Sequence, residues 1–162
     1  MFKINVNIIM KIENYIYLIY IFIPIFLACI VNLYIFKNDL YKNNDKRNKY
    51  LPQGYIIGII WTIILGFLGY VCYLTPDKGI LSKVIVFTIV YCLLYPILTS
   101  KLDNSESIKY NLIGLLLAFI LFILIILKYK QKNMIFIYVL PLLFWNIYIC
   151  IITIFFNVNI KI

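Results

Sequence analysis

The sequence predicts an all-α membrane protein, a single domain over residues 1–162 folded as a five-transmembrane-helix bundle. Three observations lead there. Of the 162 residues, 65% are hydrophobic and only 13% charged, with a mean hydropathy of +1.00. That leaves too little polar surface for a water-soluble globule of this size. The apolar residues also come in long runs such as LIGLLLAFILFILIIL, without the alternation that the lumen-facing residues of a membrane β-barrel impose. Finally, five such runs are each about 20 residues or longer, and at about 1.5 Å per residue that length crosses a hydrocarbon core of about 30 Å.

The elements follow in order. After a short mixed tail with Lys3, the first span covers about residues 12–36, kinked at Pro24. It is too long for a signal-peptide core, and no small-x-small cleavage site precedes a polar mature start. Residues 37–49, KNDLYKNNDKRNK, form the one long polar connection, with five basic and two acidic residues. The second span, 54–74, is the one the others are organised around. It is uncharged, and Pro52 stands near its start, where a missing N–H is tolerated. Gly54, Gly58, Thr62 and Gly66 recur at every fourth position. Small residues so spaced let a neighbouring backbone come close, which is how helices associate in lipid. Trp61 lies beside this strip.

Thr75-Pro76-Asp77-Lys78-Gly79 makes a short turn. The third span, 80–99, is interrupted by Pro96, and a polar loop with Asp103 and Glu106 follows it. The fourth, 108–127, carries Gly114 and Ala118 as a packing notch. Lys128, Lys130 and Lys132 mark the next interface, and the last span runs over about 134–156.

The net charge of +9 raises nucleic acid as a partner, but the basic residues sit mainly between the apolar runs. They are the ordinary flanks of spans, and their partners are lipid headgroups, so no nucleic acid is expected. With five spans, seven Lys and Arg fall on the N-terminal side and eight on the other. That balance leaves orientation, and the identity of the membrane, open. The four cysteines lie in different apolar runs and the chain has no histidine. This excludes a zinc site and histidine-ligated haem, and reads the thiols as small apolar side chains. No ionisable side chain lies deep in a span, so proton relays and carboxylate-coupled transport have nothing to work with. There is no Ser-His-Asp set, no carboxylate pair and no phosphate-cradling loop, so no catalytic residue is assigned.

What remains is aromatic and weakly polar. At about 100° per residue, Tyr138, Pro141, Trp145, Tyr148 and Ile149 share one face of the last helix, with Asn146, Cys150, Thr153 and Asn157 beside them. A flat apolar ligand could lie against the rings. Packing between helices, with hydrogen bonds across them, accounts for the same pattern.

Two stretches carry a family resemblance. Pro52-Gln53-Gly54-Tyr55, continuing through Gly58 to Trp61-Thr62, resembles the Pro-Pro-x-x-x-(Phe/Leu)-x-x-Val-Trp-Thr segment of the TspO/MBR family, the tryptophan-rich sensory and translocator proteins. Gly69-Tyr70-Val71-Cys72-Tyr73-Leu74 is similar to the Gly-Tyr-x-x-Tyr-Leu of some members, and Pro141-Leu142-Leu143-Phe144-Trp145 to the family's Pro-Tyr-Leu-x-Trp. The chain's two tryptophans fall on family tryptophan positions. The resemblance implies a membrane protein, commonly dimeric, that binds a porphyrin, haem-type or sterol-like ligand in a sensory or transport-like role. Its pocket would lie between the first loop and the helix ends, lined by Trp61 and Trp145, with Tyr50 and Tyr41 at matching loop and first-helix positions. Ile149 stands where the family has a small residue, which narrows the pocket floor. Gln53 replaces the second proline, and Phe87, Tyr91 and Leu94 replace the Gln, Asn and Trp of the third helix, with Tyr95 a neighbouring aromatic. These departures bear on porphyrin turnover more than on binding. They leave two rivals: a porphyrin-degrading enzyme, and a non-binding scaffold with a closed pocket.

Overall fold

In a computed structural model of the chain, described for residues 6–38, 40, 51–76, 79–99, 102, 104–129 and 134–160, every regular element is helical. The five helices are α1 (Val6–Lys37), α2 (Gly54–Leu74), α3 (Ile80–Thr99), α4 (Asn104–Tyr129) and α5 (Leu140–Ile160), with a 3-10 turn at Met134–Tyr138 before α5. Four carry stretches long and apolar enough to cross a bilayer: Tyr15–Lys37, Gly54–Leu74, Ile80–Thr99 and Glu106–Tyr129. The fifth is a shorter apolar helix, Leu140–Phe155. Large apolar side chains such as Phe26 at 66%, Leu33 at 69% and Phe155 at 66% exposure cover the outside, the inverse of a soluble surface. The chain is an integral, multi-pass membrane protein.

α2 and α3 begin and end at the expected residues, while α1 and α4 run further at both ends. The last element is where the sequence misleads. The α-helix starts at Leu140, not Met134. Pro141 has no N–H to offer Ile137, and its ring would crowd that carbonyl in a continuous α-helix. The preceding turn therefore tightens, with Val139 N–H donating to the Phe136 carbonyl at 3.0 Å, and Leu143 N–H then opens the regular helix on the Val139 carbonyl at 3.1 Å. Tyr138 leaves the ring-bearing face of α5 and packs edge-on against Tyr70 of α2, centroids 5.0 Å apart.

The most extensive contact is between α1 and α2, followed by α4 with α5 and α3 with α4, while α2 also touches α3. α1 and α2 run antiparallel, as Asn32 meets Gly58, Ile25 meets Gly66, Tyr20 meets Gly69 and Tyr17 meets Tyr73. The tightest approach lies at Gly69. A Cβ there would collide with the Tyr20 carbonyl oxygen, and would fall 3.0 Å from its carbon and 3.1 Å from Pro24 Cγ. Tyr20 is four residues before Pro24, so its carbonyl has no intrahelical N–H to accept from. Gly69 brings α2 down onto that freed carbonyl.

Candidate functional site: an aromatic cleft between α2 and α5

α2 and α5 face each other through side chains rather than close backbone. Trp61, two turns into α2, and Trp145, near the start of α5, meet edge to face with centroids 6.4 Å apart at 83°. Tyr95 of α3 lies on the far side of Trp61 at 5.4 Å, and Tyr148 lies beside Trp145 at 5.5 Å. Both indoles are buried, Trp61 at 4% and Trp145 at 8% exposure. Neither indole N–H has an acceptor. Leaving a buried donor unpaired costs about 1–3 kcal/mol, so the closed ring cluster carries that cost twice.

Against the cluster lies a cleft of about 460 Å³ whose lining includes Pro52, Ile60, Ile64, Pro141, Trp145 and Tyr148. Its walls are almost wholly apolar. It opens on the outer flank of the bundle, past Ile63 at 52% and Phe144 at 63% exposure.

Behind the rings, α3, α4 and α5 are joined by hydrogen bonds. The Tyr95 hydroxyl donates to Asn111 Oδ1, and Asn111 Nδ2 donates to Thr153 Oγ1 at 2.9 Å. Thr153 in turn donates to the Ile149 carbonyl at 2.7 Å. The Tyr91 hydroxyl donates to the Tyr110 carbonyl. Asn146 donates to the Leu142 carbonyl at 2.8 Å and turns its oxygen to Gly114, where a Cβ would stand 2.5 Å from it. Asn111, Asn146 and Thr153 are all at most 6% exposed. A paired polar network of this kind fixes the register of three helices in lipid.

Of the expected ligand-facing residues, Trp61 and Trp145 come together. Trp145 lines the cleft, whereas Trp61 lies behind it between Tyr95 and Trp145. Ile149 is 9% exposed, one turn past Trp145, in the common core. Tyr41 and Tyr50 lie outside the described residues. Phe87, expected to crowd the pocket from the third helix, is 58% exposed on the outer surface. The third-helix ring that meets Trp61 is Tyr95. In the small-residue strip, Gly58 lies against the Asn32 amide and Gly66 against Ile25, while Thr62 donates to the Gly58 carbonyl. Gly54 opens the helix. Asn111 had no sequence signal, because it stands at the head of an apolar run where an interfacial residue is unremarked. Among the described residues no three His, Cys, Asp or Glu side chains gather to hold a metal.

Compared with known proteins, the chain has no match among the curated proteins or among the solved structures. A sequence profile of the TspO/MBR family matches residues 20–158, a segment that holds both tryptophans, the cleft and the polar network behind it. The chain belongs to the TspO/MBR family.

Proposed function

We propose that this protein binds a porphyrin or a similar flat hydrophobic ligand, such as a sterol-like lipid, at the α2–α5 cleft, and that binding serves a sensory or transport-like role. The observation that carries the reading is the pair of indoles, one from each helix, meeting beside an apolar cleft with both N–H groups unpaired. A flat ligand offers the ring faces apolar area, and a ligand acceptor that parts the rings relieves the unpaired donors. The cleft's described lining offers no histidine or cysteine, and Tyr148 is the one described side chain there of a type that can ligate haem iron.

Because the chain has two tryptophans, Trp61→Phe and Trp145→Phe each leave a single reporter. Protoporphyrin titrated into either variant in detergent quenches the remaining emission saturably, and more strongly for Trp145, the cleft wall. Quenching that rises linearly and equally in both variants, as for free indole in micelles, refutes binding. A second reading, a scaffold without a ligand, draws on the contacts that Trp61 already makes with Tyr95 and Trp145. Linear quenching is its expected result.

A further inference from the structure

A second groove lies between α1 and α2, on the neighbouring face of α2, and shares Ile63 with the α2–α5 cleft. It encloses about 490 Å³, with Leu33, Phe36, Ile59 and Ile63 among its walls, Asn32 at its floor and Cys29 at its rim. We propose that this groove holds the acyl chain of a neutral membrane lipid bearing a free hydroxyl, a diacylglycerol, with that hydroxyl donating to Asn32 Oδ1. The proposal does not rest on what binds at the α2–α5 cleft, although Ile63 borders both.

Asn32 carries the inference. An asparagine amide has two donor hydrogens and one acceptor oxygen. Both donors are committed to α2, Nδ2 reaching the Gly58 carbonyl at 3.3 Å and Thr62 Oγ1 at 3.4 Å. The Thr62 hydroxyl is itself spent on the Gly58 carbonyl at 2.8 Å. The donors of the floor are therefore used, and the Asn32 oxygen remains as an acceptor in apolar surroundings. A matching occupant has to donate, which a hydroxyl does and a fully esterified lipid does not. Among the described residues no charged side chain lines the groove, so they offer a phosphate headgroup no counter-charge.

Position and shape fit the same occupant. Asn32 lies five residues before Lys37, the last residue of α1, hence about 8 Å along the axis from that end. With Lys37, the charged flank of the span, at the interface, Asn32 stands just beneath the headgroups. The α1 lining, Cys29 to Phe36, covers two turns, or about 10 Å, along the helix. A groove parallel to the axes takes an extended chain.

Cys29 supplies the readout. It is the exposed one of the four cysteines, Cys72 being half-buried and Cys92 and Cys150 buried. In a Cys72→Ser background, purified protein in micelles is alkylated with a maleimide while dioctanoylglycerol, or the same lipid with its hydroxyl methylated, is titrated in. The free hydroxyl form is expected to protect Cys29 at about fivefold lower concentration, the ratio one net hydrogen bond gives. Asn32→Leu abolishes that difference while both lipids still protect. Equal protection of the unsubstituted Asn32 protein by both lipids, or by neither, overturns the proposal, and this comparison needs no variant at Asn32. Protection by cholesterol at lower mole fraction than the diacylglycerol also overturns it, by replacing the acyl chain with a sterol.

Discussion

Replacing Gly69 with alanine sets two effects of opposite sign against each other. Alanine is the better helix former by about 1 kcal/mol, so propensity alone predicts a more stable protein. The added methyl, however, would collide with the Tyr20 carbonyl and stand 3.1 Å from Pro24 Cγ. An ordinary carbon–oxygen contact is about 3.3 Å, so α1 and α2 have to part locally by about 1 Å. The obstructing atom belongs to the backbone of the most extensive helix pair, so it cannot rotate away. Overpacking costs about 1–3 kcal/mol, and a backbone obstacle places this site near 3. The net loss is about 2 kcal/mol, which for a chain of this length lowers Tm by about 4–8 °C. Gly79→Ala is the control, because among the described residues nothing lies nearer to its Cβ position than Lys128 Nζ at 4.0 Å. Thermal unfolding of both variants in one detergent decides the matter. A Gly69→Ala protein that melts at or above the parent temperature refutes the close approach.

Further outcomes follow from the same contacts. Gly114→Ala drives the Asn146 oxygen from its seat 2.5 Å away, and a loss of about 1–3 kcal/mol is expected; Asn146→Ala in the same chain recovers part of it, measured as a double-mutant cycle in Tm. Asn111→Ala removes the acceptor of Tyr95 and the donor to Thr153 and costs about 1–3 kcal/mol by denaturant titration, whereas an unchanged midpoint means the network is not formed. Gly58→Ala meets first the movable Asn32 side chain at 3.2 Å and costs less than Gly69→Ala in the same melt. Maleimide labelling in detergent proceeds fastest at Cys29 and slowest at Cys92 and Cys150, and rapid reaction of Cys92 in folded protein contradicts its burial at 2% exposure.

The helices were legible because lipid imposes one length and one chemistry on every span, so hydropathy runs marked α2 and α3 at both ends. Where α5 begins was not. Hydropathy is blind to whether a run is α or 3-10, and the deciding fact is that Pro141 withholds a hydrogen bond from Ile137. The two tryptophans were readable from their motifs, and the structure brings them into contact. Trp61's place behind the cleft depends on Tyr95 arriving from α3, a long-range meeting that no local pattern encodes. Phe87 illustrates the same gap. A motif register put it inward, yet its side chain faces outward, because helix rotation is fixed by contacts such as Tyr91 with Tyr110 rather than by spacing. Gly69 is a similar case, since its partner is a carbonyl made available by a proline on another helix.

The mouth of the α2–α5 cleft, between Ile63 and Phe144, lies on a flank clothed in apolar side chains. A guest entering there arrives from within the hydrocarbon, having already left water. Occupancy then follows the guest's mole fraction in the membrane, and dissociation constants expressed in aqueous molarity will drift with the amount of lipid present. Adding empty vesicles should strip the guest from the protein by dilution in two dimensions, although nothing about the cleft itself has changed.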